Sequence, residues 1–199
     1  MQDRMDPFGH LLERLDRLLN PIEWLMNLIG GMLVFALMFL GLAQIVLRGV
    51  FRAPMFGYID IVELTMIGFA IFGIAYVQRD GGHVRMDMFV ARLHGRALWV
   101  AELVGTVVAI AIVGILIPYS YQHFERAFDI GDSTIDIELP TWPAKLAVPV
   151  SLSVLMLRLI IQLLGYLRLI VSPQATPVAV PTLKSVEELA EAEIEGAHE

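Results

Sequence analysis

The sequence predicts an all-α integral membrane protein: four transmembrane helices, both termini on the cytoplasmic side, and an amphipathic N-terminal surface helix. Three observations predict it. The 199 residues are 57% hydrophobic with a mean hydropathy of +0.68, whereas soluble domains seldom exceed about half apolar. The apolar residues gather into four blocks, at about residues 22–47, 57–77, 97–117 and 144–171. Basic residues divide unequally among the connections. With the termini inside, Arg4, Arg14, Arg17, Arg79, Arg85, Arg92, Arg96, Arg168 and Lys184 are cytoplasmic, and only Arg48, Arg52, Arg126 and Lys145 are outside. The positive-inside rule therefore favours this orientation.

Residues 1–20 are expected to form the surface helix, the alternative being a helix packed on a partner. Asp6-Pro7 supplies a cap and a proline at the first helical position. Phe8, Leu11, Leu12, Leu15, Leu18 and Leu19 fall on one face; His10, Glu13, Arg14, Asp16 and Arg17 fall on the other. These charges leave no apolar core for a cleavable signal peptide, so the first span is expected to act as an uncleaved membrane signal. Asn20-Pro21-Ile22-Glu23 then restarts the helix with a cap, a proline and a carboxylate.

The membrane domain is residues 21–171. In span one, Gly30, Gly31 and Gly41 offer small surfaces for close helix contact. Span two has a charge-free core, Leu64–Val77, of only 14 residues. At ~1.5 Å per residue this covers about 21 Å of a roughly 30 Å hydrocarbon layer. Starting near Gly57 restores the length but draws Asp60 and Glu63 into the membrane edge, where carboxylates need partners. Arg48, ending span one on the same surface, is the expected partner.

The connection 78–96 is rich in arginine, and its Met86–Leu93 stretch suits a short surface helix. Span three is expected to continue past a kink at Pro118. In the long connection that follows, Ile135, Ile137 and Leu139 alternate with Asp136 and Glu138, a period of two that predicts an extended segment with one covered face. Thr141 suits a cap and Trp142 an interfacial anchor for span four. Residues 172–199 read as a proline-containing, acidic, disordered cytoplasmic tail.

A net charge of −7 argues against a nucleic-acid partner, and the absence of cysteine excludes disulfides and thiolate sites. The histidines are read as lying in connections or termini, away from the positions that axial haem ligands need. No nucleophile elbow, metalloprotease pair or phosphate loop is present. No cofactor, no metal site, no substrate-binding residue and no catalytic residue is expected.

The remaining candidates are the membrane-embedded charges Asp60, Glu63, Glu102 and Arg158. They mark an ion path, structural pairs, or contacts with lipid headgroups at the interface. Pairing is favoured, Arg48 with Asp60 or Glu63 and Glu102 with Arg158. Arg158, Gln162 and Gly165 share a face that should point at protein. No broken-helix pair or inverted repeat suggests a midplane substrate site. Such a chain reads as an accessory subunit.

The order of motifs resembles the small membrane subunit of tripartite ATP-independent periplasmic (TRAP) transporters, the DctQ-type Q component. Carrying the resemblance are Arg48, the acids Asp60 and Glu63, Gly82-His83-Val84-Arg85-Met86-Asp87, Gly131-Asp132-Ser133-Thr134, Pro140-Thr141-Trp142-Pro143 and Pro149, over residues 20–170. A glycine common in the family after the last proline corresponds to Ser151.

The resemblance implies a bacterial inner-membrane protein that works with a large membrane subunit and a periplasmic substrate-binding protein. Together they carry out ion-coupled, usually sodium-driven, uptake of an organic acid. The motif residues Arg48, Asp60, Glu63, His83, Asp87, Trp142 and Pro149, together with the embedded charges Glu102 and Arg158, are the candidates for structural or subunit-interface roles. Binding-protein docking falls to Asp132, Ser133, Thr134, Asp136 and Glu138. The competing readings are a self-sufficient ion-coupled carrier using its own carboxylates and a membrane anchor of a redox complex.

Overall fold

The computed structural model describes residues 7–79 and 96–171. These form five helices: α1 (Pro7–Gly49), α2 (Tyr58–Phe72), α3 (Ile74–Arg79), α4 (Arg96–Ile130) and α5 (Trp142–Val171). Four units are long and apolar enough to cross a membrane: α1, α2 continued by α3, α4 and α5. The Met86–Leu93 stretch and the acidic tail lie outside the described residues.

The 43-residue α1 corrects one expectation, because it runs through Pro21 without the restart foreseen there. At ~1.5 Å per residue it is about 65 Å long, roughly twice the hydrocarbon thickness. Proline removes one backbone donor, but contacts on either side of it keep the helix in register. Asp16, Asn20 and Glu23 all meet partners on other helices. Residues 7–20 are therefore not a separate helix. Their predicted apolar face is split, with Leu12 buried but Leu11 and Leu18 exposed.

The second unit begins after Gly57, whose φ of 74° is a left-handed conformation that glycine adopts without a Cβ clash. It is interrupted at Gly73 and resumes as α3. The third unit passes through Pro118 and ends at Gly131, φ 71°, where Asp132 N–H donates to Ala127 C=O at 2.9 Å. That 6→1 bond after a left-handed glycine is a Schellman stop.

At the centre stands α5, packed on all four other helices. The most apolar stretch of α5 is 44% buried, against 6% in α1, so α5 is the bundle's spine and α1 its outer wall. The spine's Leu152, Leu155 and Leu159 pack with Val113 of α4 and Ala75 of α3; Tyr166 and Leu169 pack with Trp99 and Leu103. The glycines set the α1–α2 contact: Gly30 faces the Phe69 backbone and Gly68 the Leu33 side chain. Outward, α1 presents Met32, Phe35, Phe39, Leu42 and Ile45, and α4 presents Val104, Val108, Ile112 and Ile115.

Candidate functional site

Polar side chains converge at two levels. The first is the end carrying the connection between α4 and α5. Asp60, in the first turn of α2 and 4% exposed, accepts hydrogen bonds from the backbone N–H groups of Asp136 (3.0 Å) and Ile137 (2.9 Å). The Ile137 side chain lies over Gly57, so close that a Cβ there would meet it at 2.5–2.9 Å. The connection is thus strapped onto the start of α2.

The alternation of Ile135, Ile137 and Leu139 does not produce an extended segment. Thr134 closes a tight loop instead: its N–H donates to Leu139 C=O (2.9 Å) and its hydroxyl accepts from Leu139 N–H (3.0 Å). A bridge between Ser133 and Pro140 and a left-handed Glu138, φ 53°, complete the reversal. Ile137 and Leu139 turn inward to partial burial, whereas Ile135 is 95% exposed.

At the loop's base, Asp132 pairs with Lys145 and accepts from the Thr141 hydroxyl. Thr141, expected to cap α5, uses its hydroxyl on Asp132 instead. The Lys145 ammonium, first by hydrogen bond and then by charge, holds the Asp132 carboxyl below the usual carboxylate range, with smaller contributions from Thr141 and His123; partial burial opposes them. Between loop and α2 lies a hollow of about 390 Å³, walled by Asp60, Glu63, Asp132, Asp136 and Lys145 among others. Glu63 is exposed.

The expected pairing of Arg48 with Asp60 or Glu63 does not form. Arg48 is exposed and makes no ion pair among the described residues. The connection after α1 folds back along it, with Met55 N–H donating to Gln44 at 2.8 Å. Gln44 is one helical turn, about 6 Å, below Arg48. Asp60 then meets its loop amides rather than the guanidinium.

The second level is at the opposite end. Arg158 of α5, 2% exposed, pairs with Asp16 and lies 3.8 Å from Glu23, which is fully buried; both acids belong to α1. One turn on, the buried Gln162 accepts from Gln78 Nε2 at 2.9 Å and donates to Gln78 C=O at 3.2 Å. Arg79 of α3 donates to Asn20 of α1. Tyr166 donates to Glu102 of α4 at 3.1 Å, which replaces the expected Glu102–Arg158 pair. The two carboxylates that meet Arg158 lie on either side of Pro21 in the one continuous helix α1.

Of the other candidates, Trp142 belongs to the first level. Trp142 packs edge-on against Phe128, rings 5.9 Å apart, joining the ends of α4 and α5. Pro149 is buried within α5 and its carbonyl accepts from the Ser153 hydroxyl. His83 and Asp87 lie outside the described residues. His10, read as part of the N-terminal helix, and His123, read as a connection residue, fall on α1 and α4 and are exposed. Asp16, Asn20, Glu23, Gln78 and Tyr166 were not singled out as site residues. Their signal was available in Arg158 and Gln162: a charge and an amide on one face of an apolar helix require polar partners opposite. Among the described residues, no cluster of three or more potential metal ligands occurs.

The comparisons with known proteins agree with one another. A family model described as "Tripartite ATP-independent periplasmic transporters, DctQ component" matches residues 37–169. The C4-dicarboxylate TRAP transporter small permease protein DctQ of Rhodobacter capsulatus is 27% identical over 109 residues, 55% of this chain. The match spans about half, 48%, of that relative's length.

Proposed function

Because the chain belongs to the family of DctQ components of tripartite ATP-independent periplasmic transporters, we propose that it braces the large membrane subunit of such a system. That system takes up an organic acid delivered by a periplasmic binding protein, driven by an ion gradient, with sodium the expected ion. The relative's printed name makes C4-dicarboxylates the first substrates to try. The orientation proposed puts both termini in the cytoplasm of a bacterium and the 131–141 connection in the periplasm, following the distribution of arginine and lysine.

The observation that carries this reading is how the charged and amide side chains embedded in the helices are used. Asp60 holds loop amides, Arg158 holds two carboxylates of α1, Gln162 holds Gln78, and Glu102 accepts from Tyr166. Each contact ties one element to another. A translocation path instead needs polar groups that exchange partners as cargo passes. The large apolar side chains of α1 and α4 face outward, available to lipid or to a companion membrane protein. Trp142 and the connection before it face the periplasm in this orientation and form the side offered to the binding protein.

Co-expression with the large subunit and purification through a tag on this chain tests the bracing role. The expected result is a stable complex in mild detergent. Recovery of this chain alone, with the large subunit folded and active in a separate fraction, contradicts it.

A further inference from the structure

We infer that the 131–141 connection is a preformed knob for the soluble binding protein. In it, Ile135 makes the apolar contact, Glu63 and Asp136 receive a basic side chain, and Asp60 is the positioning residue. The inference rests on the reading of the chain as a TRAP small subunit and deepens it by naming the contact and its chemistry.

Three observations converge. Ile135 is 95% exposed, the highest value among the exposed large hydrophobic residues described. It is not left out for want of order. The loop that carries it is fixed by the two amide bonds to Asp60, the Thr134–Leu139 pair, the Ser133–Pro140 bridge and the Asp132–Lys145 ion pair. Holding an isoleucine in water on a rigid loop costs free energy in the isolated chain, which covering it by a partner recovers.

Charge indicates which partner. Next to Ile135 the hollow is lined by Asp60, Glu63, Asp132 and Asp136 against the single cation Lys145. Asp132 takes Lys145, and Asp60 is occupied by the loop amides. The exposed Glu63 and Asp136 side chains make no hydrogen bond among the described residues, so net negative charge is left facing outward. A hollow of about 390 Å³ with that charge suits a lysine or arginine side chain beside an apolar depression. Phosphate headgroups are repelled by it, so dipping Ile135 into a membrane is disfavoured.

This divides the expected docking residues. Asp132 and Thr134 are scaffold, because their polar atoms are committed to Lys145 and Thr141 and to Leu139, respectively. Asp136 acts through both its amide, which holds the loop, and its carboxylate, which faces outward.

The test uses the complex of both membrane subunits in proteoliposomes, with substrate-loaded binding protein titrated outside. Ile135→Ser is expected to raise the binding-protein concentration giving half-maximal uptake by roughly tenfold, with the maximal rate and complex yield unchanged. Asp60→Ala should do the same. Asp60→Asn, whose amide oxygen still accepts both N–H bonds, should stay within about threefold of wild type. Combining Glu63→Gln with Asp136→Asn should flatten the salt dependence of that concentration.

No shift on Ile135→Ser overturns the inference while leaving the small-subunit reading intact. Loss of the large subunit on Ile135→Ser also overturns it, because the knob then belongs to the membrane interface, as does weakened binding to empty vesicles. Uptake by the wild-type complex that ignores the binding protein overturns the reading together with the inference.

Discussion

The carboxylate of Asp60 and the backbone N–H of Ile137 lie 2.9 Å apart although 77 residues separate them in the chain. That contact fastens the first turn of α2 to the connection before α5 and fixes the face that the bundle shows at this end. An acid that hydropathy places at a membrane edge is here a fastening for backbone, not a group awaiting an arginine.

Removing the acceptor should free the loop. With Asp60→Ala, the amides of Asp136 and Ile137 are expected to exchange with deuterium at least roughly tenfold faster, because both lose a charge-assisted bond. Asp60→Asn should retain most protection. Hydrogen exchange read by mass spectrometry on peptides covering 131–141 checks this; equal protection in the alanine variant contradicts it.

The two arginines should behave oppositely. Arg158→Met removes the ion-pair partner of Asp16 and the guanidinium 3.8 Å from the buried Glu23, and is expected to cost about 3–5 kcal/mol, seen as a lower melting temperature in detergent and reduced yield. Arg48→Ala, at an exposed residue with no ion pair, should stay within about 0.5 kcal/mol of wild type. A large loss at Arg48 with none at Arg158 would reverse the assignment of partners.

Much of the fold was legible in the sequence, and the partners of its charges were not. Four apolar blocks suffice to foresee four spanning helices, since hydropathy is a local property. The strip of Arg158, Gln162 and Gly165 was legible because helical periodicity alone puts the three on one face. Which carboxylate meets Arg158 depends on how α1 packs on α5, a contact between residues 142 positions apart that no local pattern reveals. The loop misled for a similar reason. An alternation of apolar and acidic residues fits a strand, but one hydroxyl, that of Thr134, turns the chain back and leaves Ile135 outside.

Acid should loosen the loop's base. The Asp132 carboxyl titrates below its ordinary value in the folded protein, so the unfolded state takes up protons first as pH falls. The contribution of Asp132 is therefore fully present above the ordinary carboxylate range and is lost as pH drops through the depressed value. Pepsin cleavage within 131–141 should accelerate below about pH 4 in the wild type. It should already be fast at pH 5 in Asp132→Asn, and neither protein should change between pH 6 and pH 8. A transition near neutrality would contradict the role of Asp132.

The two left-handed glycines separate backbone strain from crowding. Gly131→Ala adds a Cβ into open space at φ 71° and should cost about 1–2 kcal/mol of conformational strain. Gly57→Ala adds comparable strain at φ 74° and also drives the Cβ against Ile137, so it should lower the melting temperature further. Equal shifts for the two would mean that Ile137 does not press on the start of α2.

The central claim is that the charges embedded in this chain tie its own helices and loop into a rigid brace and move no cargo. Its most direct test is uptake of a radiolabelled C4-dicarboxylate into sodium-energised proteoliposomes, comparing the purified chain alone with the chain plus the large subunit and loaded binding protein. The account predicts no accumulation by the chain alone and accumulation only when all three components are present. Accumulation by this chain without companions, abolished by Glu63→Gln or Glu102→Gln, would contradict it.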